Sequence, residues 1–163
     1  MREQTRNMNG AGGRKNIVCV RVLIADDQPR ARRSLKALLT AMRWSTPCHA
    51  ELPPHAEFLP VEIVGEAENG QETIEQVRAL HPDVVVMDLQ PHTVSAPEQG
   101  LDGMATIQMI KGTWPATRIV VLTMYATDRA SVLAAGADAF LLKGCPTRDL
   151  LDAVMPRGPM GLG

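Results

Sequence analysis

Hydrophobic positions along this chain follow two rhythms that alternate from one end to the other. Between Asn16 and Ala25, the residues Ile17, Val18, Val20, Val22, Leu23 and Ile24 form a nearly continuous, β-branched run. A strand covered on both faces of a parallel sheet reads this way, because neither side needs polar residues. From Pro29 the spacing changes. Ala31, Leu35, Leu38, Leu39 and Met42 recur at helical intervals, with Arg30, Arg32, Arg33 and Lys36 between them. A proline in the first helical turn is well placed, since its missing N–H had no partner there.

The alternation repeats. Val61 to Val64 predicts a second strand, Glu68-Asn69-Gly70 a turn, and Gln71 to Leu80 a helix with Ile74 and Val77 on one face. Asp83 to Met87 predicts the third strand, and Met104, Ile107 and Ile110 mark the third helix. Ile119 to Leu122 is the fourth strand, Asp128 to Ala135 a helix stopped by Gly136, Ala139 to Leu142 the fifth strand, and Thr147 to Val154 the last helix. Strands and helices in strict alternation imply an α/β domain, a doubly wound parallel sheet with helices on both faces and right-handed crossovers. No repeat of fixed period argues for a solenoid. One domain is expected over 16–155, between a leader at 1–15 and a tail at 156–163, with two long interruptions at 43–60 and 90–100. Compact α/β connections usually run about 2–6 residues, so both interruptions read as insertions.

Composition narrows the classes. The 163 residues carry 17 basic and 18 acidic side chains, for a formal net charge of −1, which gives no bulk field for nucleic acid or an anionic membrane. The 45% hydrophobic content supports one core and excludes disorder of the whole chain. No apolar run has the length of a membrane span. Cys19, Cys48 and Cys145 are too few and scattered for a disulfide framework. The polar start of the chain lacks the apolar stretch of a secretory signal, and the expected compartment is the cytoplasm.

In open α/β sheets, ligands collect beyond the carboxyl ends of the strands. The first strand ends in Asp26-Asp27, the third in Asp88, the fourth in Thr123 and the fifth in Lys143, whereas the strand interiors are apolar. Three clustered carboxylates repel unless a cation is present, and Mg²⁺ takes oxygen ligands of this kind. A carboxylate can attack phosphorus to form an aspartyl phosphate, with an ammonium and a hydroxyl to stabilise the transferring group. The set reads as a phosphoryl-transfer site in which Asp88 is the nucleophile.

The segments VLIADDQP, PDVVVMDL, VVLTMY and GADAFLLKG resemble, in order, the response-regulator receiver domain of two-component signalling, over about Val18 to Val154. The resemblance implies a flavodoxin-like, three-layer α/β/α fold with strand order 2-1-3-4-5. It implies Asp88 as phosphoacceptor, Asp27 as direct Mg²⁺ ligand, Asp26 as a ligand acting mainly through water, and the backbone carbonyl of Gln90 as a further ligand. Thr123 would bind the phosphoryl group and move on activation, Lys143 would pair with it, and Phe140 would be the aromatic switch residue. The implied partners are a sensor histidine kinase and a second copy of the chain in a homodimer. The protein would be a phosphoacceptor with self-phosphorylation and self-dephosphorylation chemistry, not an enzyme with a separate substrate. The wording LTMY…GADAFLLKG is similar to receivers preceding a LuxR-type helix-turn-helix. Only nine residues follow Val154, so DNA contact is expected only through an output domain absent from this chain.

This chain also departs from the pattern: Asp102-Gly103 follows Asp88 late, and Gly144 stands after Lys143 where many receivers have proline. Plainer readings stand beside the sharp ones. Asp26-Asp27 suits a helix cap, Thr123 suits a strand, and Phe140 and Cys19 suit a core. Arg30, Arg32, Arg33 and Lys36 suit a solvated helix face. Cys48, His49, His55 and His92 lack zinc-finger spacing. An aspartate-nucleophile phosphatase would need an Asp-x-Asp pattern after the first strand, which Ala25-Asp26-Asp27-Gln28 does not supply. The remaining alternative is an interaction module that kept the receiver fold and no longer phosphorylates.

Overall fold

The computed structural model describes residues 19–41, 61–89, 101–125 and 129–155. The leader at 1–15, the insertions at 43–60 and 90–100, the tail at 156–163 and the Gln90 carbonyl lie outside the described residues.

Among the described residues five strands and five helices alternate: β1 (Val20–Ala25), α1 (Pro29–Ala41), β2 (Val61–Ala67), α2 (Gly70–Leu80), β3 (Val84–Met87), α3 (Gly103–Thr113), β4 (Arg118–Thr123), α4 (Arg129–Ala134), β5 (Ala139–Leu142) and α5 (Thr147–Val154). All neighbouring strands pair in parallel, in the order β2-β1-β3-β4-β5 expected from the resemblance.

The sheet explains why the strands are apolar throughout. Leu23, Val85, Met87, Ile119 and Val121 point to one face, where Ile74, Val77, Ile107, Ile110 and Val132 from α2, α3 and α4 meet them. Val22, Ile24, Val84, Val86, Val120 and Leu122 point to the other, against Leu39 of α1 and Leu150, Leu151 and Val154 of α5. Alternate side chains of one strand thus enter two different cores, and each fully buried Val, Ile or Leu contributes about 1.5–3 kcal/mol.

Local chemistry sets the ends. Asn69 accepts from the Glu72 N–H at 2.8 Å to cap α2, and Asp102 accepts from the Ala105 N–H at 2.7 Å to cap α3. Asp83 is not part of β3; its carboxylate accepts the Arg21 N–H at 2.8 Å at the amino end of the sheet. β2 runs three residues past Val64, to Ala67. It lies at the sheet edge, so Glu62 and Glu66 can face away from the core while the backbone keeps pairing with β1, across a register shift between Val22 and Leu23. Among the described residues α4 is helical from Arg129 to Ala134, before a turn at Ala135 and Gly136, and Asp128, the expected start of this helix, lies outside the described residues.

The basic face expected on α1 needs correction. Arg30, Arg33 and Lys36 are exposed, but Arg32 is buried at 8% exposure. Leu38, expected on the apolar stripe, is exposed instead. Arg32 and Leu39 are seven positions apart and lie on the inward side of the helix, which carries Arg32 toward the end of β2.

Candidate functional site

The polar residues at the carboxyl edge are held together by the sheet itself. Hydrogen bonds continue past the strands: the Asp26 N–H donates to the Ala67 carbonyl at 3.0 Å, the Asp88 N–H to Ala25 at 2.9 Å, and the Lys143 N–H to Thr123 at 2.8 Å. The residue following each of β1, β3 and β5 is therefore bonded to the end of a neighbouring strand. That places Asp26, Asp88, Thr123 and Lys143 side by side.

Their side chains then meet. Lys143 Nζ donates to Asp26 Oδ2 at 2.8 Å and to Asp88 Oδ2 at 3.0 Å. The Asp26 and Asp88 side chains are only 6% and 7% exposed, and that of Lys143 is 20% exposed. Burial works against the charge on Lys143, but the hydrogen bonds and charges of Asp26 and Asp88 outweigh it, so its pKa lies above the ordinary lysine value. Asp26 Oδ1 also accepts the Gln28 N–H at 2.8 Å. Asp26 therefore serves the turn into α1 and the acidic site together, so the plainer and sharper readings of this residue describe the same side chain.

Asp27 is exposed, yet carboxylate oxygens of Asp26, Asp27 and Asp88 all lie within 4.8 Å of one another. Three hard oxygen donors at this spacing fit a small divalent cation such as Mg²⁺, which needs only one or two carboxylates and otherwise keeps its waters. Among the described residues no group with histidine or cysteine donors meets the same test.

Thr123 is fully buried, and its hydroxyl donates to the Leu89 carbonyl at 2.9 Å while accepting the Tyr125 N–H at 3.3 Å. Its hydroxyl is thus committed to the backbone one residue beyond Asp88. Leu89 is held from the other side by α3. A Cβ on Gly103 would sit 2.2 Å from Leu89 Cδ2, so a larger residue here would force the end of the Leu89 side chain to move. That contact gives Asp102-Gly103 a structural role: Asp102 caps α3 and Gly103 lets it close on the strand that carries Asp88.

Phe140 is half-buried and packs against the core shared with α2, α3 and α4. Gly144 has φ +92, a backbone conformation open to glycine, with nothing near an added Cβ. Cys19 is half-buried just ahead of β1, and burial pushes its thiol pKa up. A cavity of about 210 Å³ lies beneath the acidic residues, between α1 and α5, lined by Ala31, Leu35, Leu38, Cys145 and Leu150.

Arg32 escaped the sequence reading. Its Nη1 donates to the Asp26 carbonyl at 2.6 Å, its Nε to Glu66 at 3.3 Å and its Nη2 to Glu68 at 2.9 Å. The available signal was positional: Arg32 shares a helical stripe with Leu39 and is preceded by a small residue, Ala31.

A family model described as the response regulator receiver domain matches residues 57–155. The nitrate/nitrite response regulator NarL of Escherichia coli K12 is 30% identical over 135 residues, covering 82% of this chain and 52% of NarL. The response regulator VraR of Staphylococcus aureus is 27% identical over 137 residues, covering 83% of this chain and 54% of VraR. The chain spans about half the length of these curated relatives. Among solved structures, the signal receiver domain of the response regulator NarL from Mycobacterium tuberculosis superposes with a TM-score of 0.63 at 25% identity, covering 83% of this chain and 93% of that one. The family match begins after Asp26 and Asp27, but a likeness over 83% of the chain has to extend upstream of it.

Proposed function

Because the chain belongs to the response regulator receiver domain family, we propose that it takes a phosphoryl group onto Asp88 from a phosphohistidine of a sensor histidine kinase, in a Mg²⁺-dependent reaction. The observation that carries this reading is the Lys143 ammonium bridging two almost fully buried carboxylates, Asp26 and Asp88, beside a third. A purely structural ion pair needs one carboxylate. Three around one ammonium leave an excess of negative charge, and a divalent cation offsets it.

In the reaction, an Asp88 carboxylate oxygen forms a bond to phosphorus while the phosphorus–nitrogen bond of the donor breaks. The departing imidazole nitrogen keeps the electron pair. Mg²⁺, held by Asp26, Asp27 and Asp88, would supply positive charge to the oxygens of the transferring group. Lys143 holds Asp88 in place and donates to the negative charge gathering there. The Thr123 hydroxyl donates to the Leu89 carbonyl; to donate to the new phosphoryl group, it must release that carbonyl. That exchange would couple the charge at Asp88 to β4, and Phe140, on β5 paired with β4, is in this reading the residue that responds.

The protein in this reading is its own phosphoacceptor and turns over no separate substrate. It works in the cytoplasm, where a kinase can reach it; no helix among the described residues is long and apolar enough to cross a membrane. Pairing of two copies on phosphorylation is part of the proposal, and contact with DNA is assigned to an output domain instead of this one.

The test is uptake of radiolabel from acetyl phosphate. Wild-type protein takes up label with Mg²⁺ and not with EDTA, and Asp88→Asn takes up none. Wild-type protein that stays unlabelled with Mg²⁺ present would replace this reading with the interaction module that kept the fold alone.

A further inference from the structure

We propose that Arg32 is a positioning residue for the divalent cation, acting through the backbone carbonyl of Asp26. This rests on the metal-dependent reading above and adds a residue that touches neither the cation nor Asp88.

A guanidinium with a side chain only 10% exposed needs its donors satisfied. Two of the acceptors are acidic side chains at the end of β2, Glu66 at 3.3 Å and Glu68 at 2.9 Å, and Lys36 joins Glu66 at 2.9 Å. These would tie α1 to β2 without any third bond. The shortest contact, however, is to the Asp26 carbonyl at 2.6 Å. That carbonyl belongs to the peptide joining Asp26 to Asp27. The same turn is fixed on its other side by the Asp26 N–H to Ala67 and by the Gln28 N–H to Asp26 Oδ1. Arg32 therefore closes the set of bonds that fixes the peptide between the two acidic residues, and with it the direction in which the exposed Asp27 presents its carboxylate. Groups that orient metal ligands in this way are typically worth 10–100-fold in metal affinity.

The charge on Arg32 makes the idea decidable by sign. A cation this close to Asp26 repels Mg²⁺. If Arg32 mattered to the metal only through its field, removing it would tighten binding. If it positions the turn, removing it loosens binding despite the lost repulsion.

The experiment is isothermal titration of Mg²⁺ into the full chain, with circular dichroism to verify folding. Arg32→Met is expected to raise the Kd roughly tenfold or more. Arg32→Lys, which keeps the charge but reaches fewer acceptors than the fork, is expected to fall between it and the wild type. Unchanged or tighter binding by a folded Arg32→Met overturns the proposal and leaves Arg32 a tie between α1 and β2. Should Arg32→Met fail to fold, Arg32→Lys decides: weaker binding supports the role, wild-type affinity overturns it. Wild-type protein that binds no Mg²⁺ removes the metal reading itself, and the role of Arg32 with it, an outcome visible before any variant is made.

Discussion

Replacing Lys143 with methionine keeps most of the side-chain volume and deletes the ammonium that holds Asp26 and Asp88. The magnitude follows from the geometry. Carboxylate oxygens of the acidic residues lie within 4.8 Å of one another, where two unit charges repel by about 3.5 kcal/mol at an effective dielectric of 20. Breaking a buried ion pair by removing one partner costs about 3–5 kcal/mol. With Lys143 20% exposed, water can partly enter the gap, so the lower end applies, about 3 kcal/mol. Urea unfolding at pH 7 in EDTA, followed by circular dichroism, reads this directly. For an m-value of about 2 kcal/mol/M, the midpoint should fall by about 1.5 M. Adding Mg²⁺ should return much of the loss, because a divalent cation replaces the missing charge. A midpoint within about 0.2 M of wild type in EDTA, or an equal loss with and without Mg²⁺, would refute the reasoning.

Other perturbations give smaller and separable effects. Thr123→Val removes the bond to the Leu89 carbonyl while keeping the shape, and should cost about 1 kcal/mol by urea unfolding, with no change in Mg²⁺ affinity by titration. Asp102→Ala removes the cap on α3 and should cost about 1 kcal/mol, lowering the thermal midpoint by roughly 2–4 °C in calorimetry. Glu66 has its carboxyl pKa lowered by the hydrogen bond from Lys36, against a burial penalty, with Arg32 adding to the effect. A lowered folded pKa means stabilisation that is present above the unfolded value of about 4.3 and lost as pH falls through the folded one. Unfolding midpoints measured down an acid series should therefore drop more steeply for wild type than for Glu66→Gln.

Much of the architecture was legible because parallel sheets leave a strong mark. Val22 and Leu23 enter opposite cores, so both must be apolar, and that doubling produces the unbroken runs from which the strands were read. The candidate site was legible for the complementary reason: Asp26, Asp88 and Lys143 follow immediately after apolar strands, and the sheet leaves them no other place to go. β2 was read short because edge strands carry polar residues such as Glu66, which dilute the signal. Arg32 was misread because a charged residue in a helix is normally solvated, and only the three-dimensional approach of Glu66, Glu68 and the Asp26 carbonyl makes its burial tolerable. The bond from Thr123 to Leu89 depends on a hydroxyl rotation that no one-dimensional pattern encodes.

The backbone bonds that run past the strand ends carry a consequence for how such a domain can diverge. The backbones of Asp26, Asp88 and Lys143 are each stapled to the strand next door, so none of the three can be re-aimed without disturbing its neighbour's anchor. Novelty is then forced outward, onto the helices' outer surfaces and the segments between elements. Descendants of this chain would be expected to vary those outer surfaces readily while the cluster at the sheet's edge stays locked by its masonry.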